Sequence, residues 1–177
     1  SAIYCSDSNV AVRNSIVWET WADEIYVQSG FAPEVAYCTV LGGCAGVSNY
    51  DADPCFVRPG YWASTNDPNL LVEPNAPDAV WIAGDYHLRA QRGRWDPSVP
   101  KWVFDNVTSP AVDAGDPNTQ WTQELWPHGR RVNIGAFGGT SEASMSPSDV
   151  GNVADLNHDN VVNYRDLMLL TDCWLVE

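Results

Sequence analysis

Short apolar runs, broken every few residues by Asn, Asp, Gly or Pro, dominate the first third of the chain. Ala2–Cys5, Val10–Val12, Ser15–Trp18, Glu24–Val27, Val35–Cys38 and Thr39–Leu41 are each too short for a helix. Most are rich in β-branched or aromatic residues, so strands are expected there. Two stretches repeat: Val12-Arg-Asn-Ser-Ile-Val-Trp18 aligns with Val35-Ala-Tyr-Cys-Thr-Val-Leu41, an offset of 23 residues. A repeat near that length built from short strands is what a solenoid coil requires, because one coil cannot bury its apolar face alone. Asn14 and Tyr37 then fall at one position on neighbouring coils. An antiparallel sandwich with strands of similar length is the alternative.

From Asp51 to Thr140 the pattern is less regular and rich in Trp, Pro and Gly. Asp53-Pro54, Asp67-Pro68, Asp96-Pro97 and Asp116-Pro117 read as turn starts, since the residue before proline is pushed out of helical geometry. Strands are expected at Ala79–Ile82, Asp85–Leu88, Lys101–Phe104, Ala111–Asp113 and Val132–Ile134. The small residues from Gly138 to Pro147 read as the exit from the fold and a linker. A helix is expected only after Asp166, with Leu167, Leu170 and Trp174 on one face. The division that follows is a β body over 1–143, a linker over 144–151 and a small unit over 152–177.

Composition narrows the function. The 177 residues are 45% hydrophobic and 18% charged, which fits a globular chain and excludes disorder and coiled coil. The formal charge is −14, and Lys101 is the only lysine. Such a surface repels phosphate backbones and anionic membranes while concentrating divalent cations, so nucleic acid is excluded as a partner. No apolar run reaches the ~18 residues of a membrane span. The first residues carry neither a basic region nor an apolar one, so the chain is expected to be a mature or C-terminal piece of something longer. Five cysteines, nine tryptophans and the near absence of lysine point to an extracellular setting.

Gly84-Asp-Tyr-His-Leu88, Thr108-Ser-Pro-Ala-Val-Asp-Ala-Gly-Asp-Pro117 and Arg131-Val-Asn-Ile-Gly-Ala-Phe-Gly-Gly139 together resemble the closing region of secreted right-handed parallel β-helix proteins of planctomycete-like bacteria. Asn14-Ser-Ile-Val-Trp18 and Asn49-Tyr-Asp-Ala-Asp-Pro-Cys-Phe56 are similar to the coil and last-turn phrases of that group. The resemblance covers about Ser1 to Ser144. It implies a mainly β fold, the C-terminal coils and irregular cap of a parallel β-helix, and a secreted or cell-surface location. It implies no activity, because this architecture hosts lyases, hydrolases, adhesins and structural proteins alike.

The strongest chemical motif is Asp155-Leu-Asn-His-Asp-Asn-Val-Val-Asn-Tyr-Arg-Asp166. Asp155, Asn157, Asp159, Asn163 and Asp166 stand at positions 1, 3, 5, 9 and 12 of a twelve-residue EF-hand spacing, and Val161 offers its carbonyl at position 7. Ca²⁺ takes about six to eight oxygens, which this set supplies, so Ca²⁺ is the expected cofactor. Asn160 replaces the usual glycine at position 6 and is the next best residue for left-handed backbone. With Asp at position 12 and Pro147 and Gly151 barring an entering helix, the loop resembles a dockerin repeat. Dockerins carry two such repeats and this chain carries one, which puts the family's cohesin partner in doubt. The alternative is an acidic turn before a helix with no metal. About 25 residues cannot hold themselves together, so the tail is expected to pack on its own body, a scaffold partner or another copy.

Weaker signals remain. Cys44 and Cys55 bracket a loop that a disulfide would close, with Cys38–Cys44 as the rival pair; Cys5 could pair upstream, and Cys173 is expected as a buried free thiol. Trp62, Trp95 and Trp102 are candidates for stacking on glycan rings, although burial in turns competes. Asp51, Asp53, Asp113 and Asp116 sit in turn phrases that Asx hydrogen bonds explain. Arg13 is the only basic residue in the regular coils. His87, His128 and His158 lack metal-ligand spacing or a nucleophile partner, so no catalytic residue is assigned. The expected function is a non-catalytic extracellular assembly module that binds calcium and contacts copies of itself, a scaffold protein or a polysaccharide. The alternative is the tail of a polysaccharide-active β-helix enzyme whose catalytic coils lie upstream.

Overall fold

The computed structural model describes residues 2–18, 24–150, 152, 154–157, 159 and 161–174, apart from the Cys173 side chain. The fold is mainly β with one C-terminal helix. Its first part stacks two laps of chain in parallel. Strand β1 (Ile3–Ser6) pairs with β4 (Ile25–Ser29), β2 (Ala11–Arg13) with β5 (Glu34–Ala36), and β3 (Ile16–Val17) with β6 (Thr39–Val40). Val12 lies beside Val35 and Val17 beside Val40, the 23-residue register of the sequence repeat. A partial third lap follows after a shorter step of 11 residues, with Ala36 bridged to Val47 and Thr39 to Tyr50.

The corners explain why the repeat is legible. Asn14, Tyr37 and Ser48 hold positive φ (50°, 54° and 53°) at matching points of the three laps, as do Asp7 and Gly30 (48° and 87°). A left-handed residue turns a strand sharply without a long loop. Each lap then turns Val17, Val35, Cys38 and Val40 into one apolar cluster, flanked by Ile3, Val12 and Ile25.

Beyond Tyr50 the pairing changes to antiparallel. Strand β7 (Phe56–Arg58) pairs with β11 (Asp85–Leu88), and β8 (Tyr61–Ser64) lies between β9 (Asp67–Leu71) and β10 (Ala79–Ile82). A hairpin joins β12 (Arg94–Asp96) to β13 (Lys101–Val103). Asp53, Asp67, Asp96 and Asp116 each accept the N–H two residues on, at 2.8–2.9 Å, but Asp67-Pro68, expected as a turn start, opens strand β9 instead.

Two expectations need correction. Ala111–Asp113 and Val132–Ile134 are not strands, although Ile134 donates to the Ala111 carbonyl at 2.8 Å and Gly115 to that of Val132 at 2.9 Å. Positive φ at Asp113 and Gly135 (56° and 111°) breaks each segment before a ladder can form. These segments bury Ala111, Val112 and Ile134 against Leu88, with Ile16, Tyr50 and Phe56 packed alongside. The supposed linker also begins too early. Ser144 and Ser146 are buried, donating to the Leu88 carbonyl and the Asp113 carboxylate, so the closing cap runs through residue 146.

Candidate functional site

The C-terminal unit is a loop leading into α1 (Tyr164–Trp174). Asn163 caps the helix by accepting the Arg165 N–H at 2.8 Å, and Asp166 reaches back to the Asn163 N–H at 2.8 Å. That reciprocal pair is a capping box. The other oxygen of Asp166 accepts the N–H groups of Leu156 at 2.9 Å and Asn157 at 3.3 Å, drawing the start of the loop onto the start of the helix. These amides, Asn163 first, hold the Asp166 carboxyl below the usual carboxylate range.

The remaining expected ligands line the same loop. Asp155 is buried and accepts the Asp159 N–H at 3.1 Å, as does Asn157 at 2.9 Å; Asp159 accepts the Val161 N–H at 2.9 Å. The Asn157 amide donates to Asp159 at 3.0 Å and the Asn163 amide to the Val161 carbonyl at 3.3 Å. One short loop therefore carries Asp155, Asn157, Asp159, Val161, Asn163 and Asp166, an all-oxygen donor set suited to a hard cation. Among the described residues no three His, Cys, Asp or Glu side chains converge as a ready metal site. Half of this donor set is Asn or carbonyl, and the two Asn amides occupy Asp159 and Val161 oxygens that an ion would take. Asn160 and His158 lie outside the described residues.

The helix presents an apolar surface without cover. Leu167, Leu170 and Trp174 are 59%, 45% and 77% exposed, so the β body does not supply the support expected for the tail.

The other candidates separate. Cys44 and Cys55 are free thiols, as are Cys38 and Cys5, and no bridge forms among them. Cys44 donates to Ala45 and Cys55 to Asp53, each at 3.5 Å. Burial pushes the Cys38 and Cys55 thiols up, with the Asp53 charge adding to the rise at Cys55, which keeps both protonated. The Cys173 side chain lies outside the described residues. Trp95 and Trp102 face each other edge-on across the β12–β13 hairpin at 5.7 Å, and both are half-buried. Trp62 meets Trp81 edge-on at 5.4 Å and lines a groove of about 690 Å³ with Ile3, Val12, Phe56 and Tyr86.

His87, which lacks metal-ligand spacing or a nucleophile partner in the sequence, has Asp85 two residues before it on β11 and gains Glu142 through folding. It is buried between Asp85 at 2.6 Å and Glu142 at 3.4 Å and stacks on Phe137. Arg94 completes the cluster, 3.1 Å from Asp105 and 3.9 Å from Asp85. Asp85, Glu142 and Asp105 surround His87 and Arg94, and Arg94 also donates to the Trp95 carbonyl at 3.3 Å, so the cluster fastens β11 and β12 to the cap. Asp113 departs from the expected Asx role and accepts from Ser146 instead. Burial raises its carboxyl, and it raises that of buried Glu124 to about 7, where the nearby Asp113 charge adds to the effect. Glu124 carries no local sequence motif that would have marked it. Comparison with protein families, with curated proteins and with solved structures finds no match to the chain.

Proposed function

We propose that this chain is the C-terminal end of a right-handed parallel β-helix carrying a dockerin-like calcium loop, and that it serves as a non-catalytic extracellular assembly module. The observation that carries the reading is the Asp155–Asp166 loop, already closed by its own amides and leading into a helix whose apolar face lacks cover. Calcium bound by the loop would fix that face for a neighbour, another copy of the chain or a scaffold protein. The two parallel laps at a 23-residue register support the β-helix part. The 690 Å³ aromatic groove supports polysaccharide as a further partner, of neutral character given the −14 charge.

The test is calcium titration by calorimetry, paired with light scattering in calcium and in excess chelator. The reading requires binding that Asp159→Ala weakens at least tenfold, and an assembly that dissolves when calcium is removed. A monomer under both conditions overturns the assembly role.

A further inference from the structure

The closing cap contains two carboxylates that the calcium loop does not use. Glu124 is 5% exposed. Its Oε1 accepts the backbone N–H of Asn133 at 2.9 Å and of Gly139 at 2.7 Å, while Oε2 is buried without a hydrogen-bond partner. Asp113 repeats the arrangement, with Oδ2 accepting from the Ser146 hydroxyl and Oδ1 buried and unpartnered. Asn133 ties the pair together: its N–H goes to Glu124, and its side-chain oxygen accepts the Asp113 N–H at 2.8 Å. Gly129, at φ +54°, lies so close to Asp113 that a Cβ there would overlap the carboxylate.

A buried carboxylate oxygen with no donor is costly, and native proteins leave few of them. The nearby cationic side chains act on Asp113 through charge but donate no hydrogen bond to the two orphan oxygens. Arg131 spends its donors on the carbonyls of Gly115 at 2.6 Å and Ala114 at 3.0 Å, and His128 accepts the Arg130 N–H at 3.2 Å. No hydrogen bond joins the two carboxyls among the described residues, so a proton on one leaves the other oxygen orphaned. A single divalent cation within reach of both oxygens would serve the two and cancel both charges.

We propose that Asp113 and Glu124 hold a calcium ion inside the closing cap, separate from the C-terminal loop. Two carboxylates and the Ser146 hydroxyl are oxygen donors that favour a hard cation, with water and backbone carbonyls completing its shell. The two acids come from segments 111–115 and 121–124, so the ion would lock the cap across the turn that separates them.

Calorimetry with Ca²⁺ alone, on the full chain carrying Asp155→Ala and Asp159→Ala, tests this site apart from the loop. The expected result is one remaining calcium per chain and a thermal midpoint that rises with calcium. Adding Asp113→Asn, which suits a left-handed backbone, or Glu124→Gln should weaken that binding at least tenfold. The midpoint measured in chelator shows whether each variant still folds. A loop variant that binds no calcium overturns the inference and leaves the loop reading intact. Loss of calcium through Glu124→Gln but not through the loop substitutions would uphold it and overturn the loop reading.

Discussion

Asn14 occupies a left-handed corner and uses its side chain there. It accepts the Asp116 N–H at 2.7 Å and donates to Thr119 at 3.0 Å, joining the first lap to the closing cap. Asn14→Ala loses both bonds and the residue type that tolerates positive φ, at a cost of about 2 kcal/mol. In a chain of this length that lowers the melting temperature by about 4–8 °C, readable by calorimetry. Glu124 acts through charge. Its folded carboxyl titrates near 7 against 4.5 when free, so the folded chain binds its proton more tightly than the unfolded chain. Glu124 therefore costs nothing below its free value and destabilises progressively as pH rises from 4.5 through 7, reaching about 2–3 kcal/mol. In chelator, Glu124→Gln should gain stability over the parent across that window and hold a constant difference above it. A difference that does not change with pH would show that Glu124 is not the titrating group.

The loop and helix depend on one carboxylate in the absence of metal. Asp166 closes the capping box with Asn163 and gathers the Leu156 and Asn157 amides, so Asp166→Ala removes the helix start and the loop closure together. Hydrogen exchange in chelator should find the amides of α1 unprotected in that variant and protected in the parent. Acid should do the same: the contribution is complete above the free carboxyl value of 3.8 and is lost as pH falls through the lower folded value. How far these elements are legible in sequence follows from how local their causes are. The parallel laps repeat a short phrase, and each Asp-Pro hydrogen bond is closed within three residues, so both can be read directly. The spacing of oxygen side chains from Asp155 to Asp166 is equally local. Ser144 and Ser146 read as linker because small polar residues usually are, but here their hydroxyls serve Leu88 and Asp113 far along the chain. Asp85 lies two residues before His87 and is as local as those hydrogen bonds, whereas Glu142 reaches His87 from 55 residues on and Asn133 joins Asp113 to Glu124, contacts that arise only when separate segments meet.

At the scale of the whole molecule, charge opposes association and the uncovered helix favours it. With a net charge of −14, two copies repel at low ionic strength, and simple salt screens that repulsion over a Debye length of about 8–10 Å. Screening alone cannot organise the loop. Under the proposed function, calcium in the loop would do two things that sodium cannot: neutralise acids in place, and turn the Asn157 and Asn163 side chains toward an ion instead of toward Asp159 and Val161. That difference separates a specific clasp from general relief of repulsion. Sedimentation velocity in millimolar calcium should give larger species than sodium chloride at matched ionic strength. Leu167→Asp, placed on the exposed stripe with Leu170 and Trp174, should return the calcium sample to monomer without changing its calcium stoichiometry. If sodium chloride produces the same species as calcium, association is ordinary charge screening and the helix face is not the contact. If Leu167→Asp leaves the calcium-dependent species intact, the contact lies elsewhere, and the outer edges of β1, β2 and β3 on the first lap, unpaired among the described residues, become the surface to test.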